Sequence, residues 1–131
     1  MTAPRLCVGA IAVSDGRLLL IRRGHEPATG QWSVPGGRVE EGETVAEAVV
    51  RELREETGVD GTCGDLVGWV ERIGPDHHYV ILDFRVRVEG SPAPVSGDDA
   101  SEAAWIPLDR VPALDLVAGL EDFLRVHGIL R

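Results

Sequence analysis

Two short apolar runs open the chain, residues 5–13 (RLCVGAIAV) and 17–23 (RLLLIRR), on either side of Ser14-Asp15-Gly16. Runs of β character flanking a turn whose glycine can take positive φ predict a hairpin or close neighbours in one sheet. The loop that follows, GHEPATGQW, has little to bury. From residue 44 the period lengthens: Val45, Ala46, Val49, Val50 and Leu53 fall on one arc at about 100° per residue, with Glu47, Arg51 and Arg54 opposite. A helix with one buried and one wet face is expected there. Its start is marked by Thr44 and Glu47, a capping box, and its end by Gly58 after Thr57, a residue suited to the left-handed C′ position.

Period-two patterning then returns. Residues 62–73 read as a strand, 74–76 as a turn, and the long strand opened by His77, His78 and Tyr79 alternates Val80, Leu82, Phe84, Val86 and Val88 with Ile81, Asp83, Arg85 and Arg87. One face is mostly apolar and the other mixed and increasingly charged, which predicts helix cover on one side and a site or solvent on the other. Residues 89–99 form a Pro/Gly/Ser-rich loop ending in Asp98 and Asp99. Residues 103–106 make a short strand, and Leu116, Leu120, Phe123, Leu124 and Val126–Ile129 restore a helical spacing. This order suits an α/β fold, a mixed sheet covered on both sides, formed by residues 1–131 as a single domain.

Composition narrows the function classes. A net charge of −9 in 131 residues argues against a nucleic-acid partner, because backbone-phosphate affinity is built from clustered Lys and Arg. Cys7 and Cys63 have no CxxC context and read as buried free thiols. No apolar run approaches the length of a membrane span and no signal-peptide pattern is visible, so no membrane partner and a cytoplasmic location are expected. The adjacent His77 and His78 point to opposite faces of a strand, poor geometry for a shared metal. Trp32, before a turn, reads first as a packing wedge and second as a base-stacking platform.

The chemistry concentrates between residues 37 and 59. Glu52, Glu55 and Glu56 project together beside the apolar arc, and crowded, half-desolvated carboxylates raise one another's pKa unless a positive charge sits among them. A hard divalent cation is the natural occupant, since Mg2+ takes carboxylate oxygens and keeps its other positions for water and substrate phosphates. The full register is Gly37, Glu43, Arg51-Glu52-Leu53, Glu55-Glu56 and Gly58-Val59, and it resembles the Nudix box of the Nudix hydrolases at every defined position.

That resemblance implies a Nudix-type α/β/α sandwich with Mg2+ or Mn2+ held by Glu52, Glu55, Glu56 and the Gly36 carbonyl. It implies hydrolysis of a phosphoanhydride in a small nucleotide substrate, a nucleoside diphosphate linked to another group. Glu43 and Arg51 look like an ion pair that orients the loop against the helix. The general base is left between Glu52 and Asp99, the latter with Asp98 and Glu102 as neighbours. Arg22, Arg23 and Arg38 are the nearest cations for a terminal phosphate. The run from HHYVILDF to GDDASEAAWIPLD is similar to the small ADP-ribose pyrophosphatase-like branch. A nucleotide-sanitising triphosphatase and a non-catalytic nucleotide sensor are the alternatives, and the reading leaves room for a homodimer.

Overall fold

The structure, a computed structural model, describes residues 3–97 and 99–131. Strand β1 (Arg5–Ser14) turns through Asp15 and Gly16, both at positive φ, into β2 (Arg17–Arg23). An Asp-Gly loop of this kind matches the right-handed twist of a hairpin. Yet the two strands pair only at Val13 with Leu18 and Ser14 with Arg17, and then they part. β1 goes on to pair in parallel with β6 (His77–Arg87) and antiparallel with β4 (Gly36–Arg38). β2 pairs antiparallel with β7 (Ala100–Pro107) along its whole length and with β3 (Trp32–Ser33). β5 (Thr62–Gly74) lies outside β6, giving the order β3-β2-β1-β6-β5 with β4 on β1 and β7 on β2. The sheet is mixed, as expected.

Both faces are covered, which explains the uninterrupted Leu18-Leu19-Leu20. Val8, Ala10, Ala12 and Leu19 pack with Ala48, Val49 and Leu53 of helix α1 (Val45–Thr57). Ile11, Leu18 and Leu20 face Val111, Phe123 and Leu124 on the other side. Alternate residues of the same strands therefore serve two cores.

Several boundaries differ from the sequence reading. β3 and β4 are short strands where only a turn was expected, and β7 begins at Ala100 rather than 103. The last helix, α2, spans only Leu120–Val126, preceded by a 3-10 helix over Leu108–Ala113. Leu116 is not helical but bridges Trp32, whose amide donates to the Asp115 carbonyl. Val126 is exposed, whereas Ile129 and Leu130 fold back into the core after Gly128. Cys7 and Cys63 are free thiols, half-buried rather than buried.

In α1 both ends are as expected. Thr44 Oγ1 accepts from the Glu47 amide, the Glu47 carboxylate accepts from the Thr44 amide, and Gly58 closes the helix at φ 70°. The buried arc is rotated, however: Ala46 is exposed and Val50 half-buried, while Ala48, Glu56 and Thr57 are buried. Projected at about 100° per residue, Glu56 falls between Val45 and Val49, so it sits at the centre of the buried face and not at its edge.

Replacing Thr44 by Ala leaves the Glu47 amide without its acceptor. The expected loss is about 1 kcal/mol, read as a lower denaturation midpoint in urea with an unchanged slope; a midpoint equal to the parent's would contradict the assigned cap.

Candidate functional site

Four close approaches assemble the site. Gly36 crosses β1 so tightly that a Cβ there would meet the Val8 carbonyl oxygen at 2.2 Å, and one on Gly37 would meet the Glu52 carboxylate at 2.5 Å. Only glycine lets Glu52 lie against the strand. The Gly36 amide donates to Glu56 Oε1 at 2.6 Å. From the other side, Gly97 lies where a Cβ would be 2.0 Å from the Glu55 carbonyl oxygen. There the amides of Val95 and Gly97 donate to the carbonyls of Thr57 and Glu56, the open acceptors at the helix end. The acidic loop is thereby docked on the end of α1.

Arg51 is the hub. Its guanidinium donates to Glu43 at 2.6 and 3.0 Å, to Glu52 at 2.7 Å, to Glu55 at 3.1 Å and to the Arg38 carbonyl at 2.9 Å. Glu40 stands 3.7 Å away, a fourth carboxylate that the sequence pattern did not single out. The hydrogen bonds from Arg51 hold the Glu43 carboxyl below its usual range, while the same carboxylates make the guanidinium proton still harder to remove. Burial raises Glu52 despite Arg51. Burial raises Glu56 to about 7, helped by the negative charges of Glu52 and Asp99 and opposed by the Gly36 amide and Arg23.

The expected site residues thus come together in part. Glu43, Arg51, Glu52, Glu55, Glu56, Gly36 and Gly37 form one cluster. Asp99 is near enough to raise both Glu52 and Glu56; its exposed carboxylate lies 3.7 Å from His25 Nε2, a neighbour the sequence did not suggest. Asp98 lies outside the described residues. Arg23 acts electrostatically on Glu56 but donates to the Pro27 carbonyl at 2.7 Å. Arg22 donates to the Gly30 carbonyl and stands 3.5 Å from Glu102, so both arginines brace the loop before Trp32. Arg38 is exposed at the end of β4. His78 bonds Glu71 and His77 stacks on Tyr79, away from the cluster. Trp32 is half-buried and packs against the core under α2 and the preceding segment, as a packing wedge does.

Among the described residues, no three His, Cys, Asp or Glu side chains converge as a closed metal site. The reason is visible: Arg51 occupies the space between Glu52 and Glu55. The donor set nevertheless suits a hard cation. It consists of oxygen atoms, and Glu56 is buried with one amide as its hydrogen-bond partner, an arrangement that penalises the charged carboxylate until a cation joins it. Among the described residues, no helix is long and apolar enough to cross a membrane.

Comparison with known proteins agrees with this arrangement. The family model described as NUDIX domain matches residues 3–126. The chain is 38% identical over 128 residues to an ADP-ribose pyrophosphatase of Methanocaldococcus jannaschii, covering 93% of this chain and 74% of that protein. It is 32% identical over 132 residues to the human 8-oxo-dGDP phosphatase NUDT18, covering 96% of this chain but 37% of that longer protein. Among solved structures it resembles a MutT Nudix hydrolase from Burkholderia pseudomallei, with TM-score 0.83, 33% identity and 95% and 98% of the two chains covered. Enzymes of this kind generally use divalent metal ions. The box expected from sequence, the sheet that presents it and these likenesses agree, and the chain belongs to the Nudix hydrolase family.

Proposed function

We propose that the protein is a Mg2+-dependent (or Mn2+-dependent) pyrophosphohydrolase that cleaves the phosphoanhydride of a nucleoside diphosphate linked to another group, with ADP-ribose as the favoured substrate. The observation that carries it is the buried Glu56, held by the Gly36 amide beside the carboxylates gathered on Arg51. In favour of ADP-ribose stands the similarity to the archaeal ADP-ribose pyrophosphatase, 74% of whose length the chain spans. A second reading, attack on an oxidised nucleotide, is favoured by the similarity to the human 8-oxo-dGDP phosphatase.

Glu52, Glu55, Glu56 and the Gly36 carbonyl are the groups to hold the cation. When bound it neutralises phosphate oxygens and makes water more acidic. Arg51 sets the geometry by keeping Glu43 and the loop after Arg38 against the helix. Glu52, or Asp99 carried in on the docked loop, takes the proton from the attacking water. Arg23, with Arg22 and Arg38, contributes positive charge for the distal phosphate.

Product chromatography with ADP-ribose, NADH, dinucleoside polyphosphates, nucleotide sugars and oxidised dNTPs tests the substrate. AMP and ribose 5-phosphate are expected from ADP-ribose with Mg2+. A kcat/KM for oxidised dGTP tenfold above that for ADP-ribose would overturn the preference.

Glu56→Gln is expected to lower turnover by more than about a hundredfold, since even groups that only orient metal ligands contribute 10- to 100-fold. Full turnover at saturating Mg2+ would sink the role. The same variant has a stability signature. A carboxyl whose folded-state pKa is raised contributes stability below its unfolded pKa and loses it as pH rises through the folded value. With Glu56 raised from 4.5 to about 7, the metal-free protein should lose up to about 3 kcal/mol between pH 4.5 and 7 from this group. Thermal unfolding in chelator should show a Tm falling over that window, and Glu56→Gln should flatten the fall.

Arg23→Ala is expected to raise KM several-fold with little change in kcat, since a distal contact is made in ground and transition states alike. Asp99→Ala should lower kcat instead; an unchanged kcat would assign the base to Glu52.

A further inference from the structure

The sequence pattern of β6 predicts helix cover over its apolar face and a site or solvent over its mixed face; the cover is arranged otherwise. On the mixed face Asp83 is 4% exposed and pairs with Gly68, over which Phe123 and His127 lie. On the apolar face Val86 and Phe84 pack with the core under α1, but Val80 and Leu82 are only half-buried. The neighbouring strand is barer still. Leu66, Trp69 and Ile73 of β5 pair with Phe84, Leu82 and His78, and directly opposed residues share a face. They are 50%, 59% and 70% exposed. Exposed Leu6, which pairs with Val80, extends this surface onto β1. Side chains of this size, half exposed, present roughly 400 Å² of apolar surface, the scale that marks an interaction site.

The same strand is the edge of the sheet. β5 has β6 on one side and, among the described residues, no backbone hydrogen bond on the other. Long edges are normally blunted by proline, lysine or a bulge. β5 contains neither proline nor lysine, and its irregularities lie between Cys63 and Gly68, so residues 68–74 run on in unbroken register. A second copy of the chain fits this edge for three reasons. Antiparallel pairing of the strand with itself, about a two-fold axis between Trp69 and Ile73, brings the apolar groups of both copies together and satisfies the open backbone of each. The charges in the stretch are already engaged, Glu71 with His78 at 2.9 Å and Arg72 with the Ala118 carbonyl. The acids behind the net charge of −9 gather instead on α1 and the loop before it, so two copies meet here with little repulsion. Finally, the apolar surface and the strand edge together come to roughly the 800 Å² that each partner buries in a standard interface.

We propose that residues 68–74 are the seam of a two-fold dimer, in which β5 of two copies pair antiparallel into one continuous sheet and Leu66, Trp69 and Ile73 close over the join. The seam is independent of the reaction that the box performs.

Sedimentation equilibrium of the intact protein over a wide range of concentration reads the association. The parent should approach twice the mass of one chain, and more readily in higher salt, which screens the repulsion between two acidic chains. Trp69→Thr combined with Ile73→Lys should weaken association more than about tenfold, the effect of truncating a central tryptophan, and leave the Tm nearly unchanged. If the double variant does not fold, Ile73→Lys alone takes its place with the same expected loss. Val126→Ser, which alters an equally exposed apolar residue on α2, should associate as the parent does. Hydrogen exchange of the 68–74 amides should slow as the parent's concentration rises. A parent that is monomeric at every concentration, a dimer that persists in the double variant or is lost equally in Val126→Ser, or 68–74 amides that exchange at one rate throughout would overturn the proposal. In a monomeric parent, a blue shift of tryptophan emission on adding AMP would assign the surface to the nucleotide instead. Hydrolysis of ADP-ribose by a monomeric parent would remove the seam and leave the proposed activity standing. A dimer that cleaves no phosphoanhydride would do the reverse.

Discussion

The Arg51 guanidinium carries more of this site than any other group. Three carboxylates touch it and a fourth stands just beyond, while a fifth, Glu56, is buried on the same helix. Two carboxylates 4 Å apart repel by about 4 kcal/mol at an effective dielectric constant of 20. Without a cation at the centre, the loop after β4 and the second half of α1 would push apart. Because Arg51 also bonds the Arg38 carbonyl, it fixes that loop to the helix as well as balancing charge. The arrangement is poised rather than closed. Arg51 satisfies Glu52 and Glu55 from one side, whereas Glu56 is held, among the described residues, by the Gly36 amide.

Backbone proximity does the rest. Glu52 reaches Gly37, and Glu56 reaches the Gly36 amide, because β4 lies hard against β1 at positions where any Cβ would collide. Gly97 performs the same service for the acidic loop, whose amides complete the carboxyl end of α1 and bring Asp99 into the field of Glu52 and Glu56. The catalytic groups proposed here thus come from three segments that meet only because glycines allow it.

Much of this was legible in the sequence, for local reasons. Thr44, Glu47 and Gly58 mark the ends of α1 by chemistry that acts within one turn, and the register from Gly37 to Val59 is carried by contiguous residues. What depended on the third dimension was less visible. Ala46 and Val50 look like core by period but lie outward, because the sheet meets α1 along a line through Val45, Val49 and Leu53. That line also buries Glu56. Asp83 reads as one of several polar residues on a strand; its enclosure follows from glycines at 9 and 68, which are neighbours only after β1 and β5 pair with β6. Leu116 has helical spacing yet bridges Trp32 in extended form, a tertiary contact overriding a short local pattern. Glu40 and His25 joined the neighbourhood for the same kind of reason, through contacts that no spacing in the chain announces.

The central claim is that Glu56 is a buried carboxyl held near neutrality until a divalent cation takes it in charged form. Mg2+ titration by calorimetry at pH 6.5, in two buffers of different ionisation enthalpy, addresses it directly, because a ligand that must deprotonate releases its proton on binding. The account predicts binding with buffer-dependent heats that report proton release, strongly reduced in Glu56→Gln. Binding with identical heats in both buffers, or no binding at all, would contradict it.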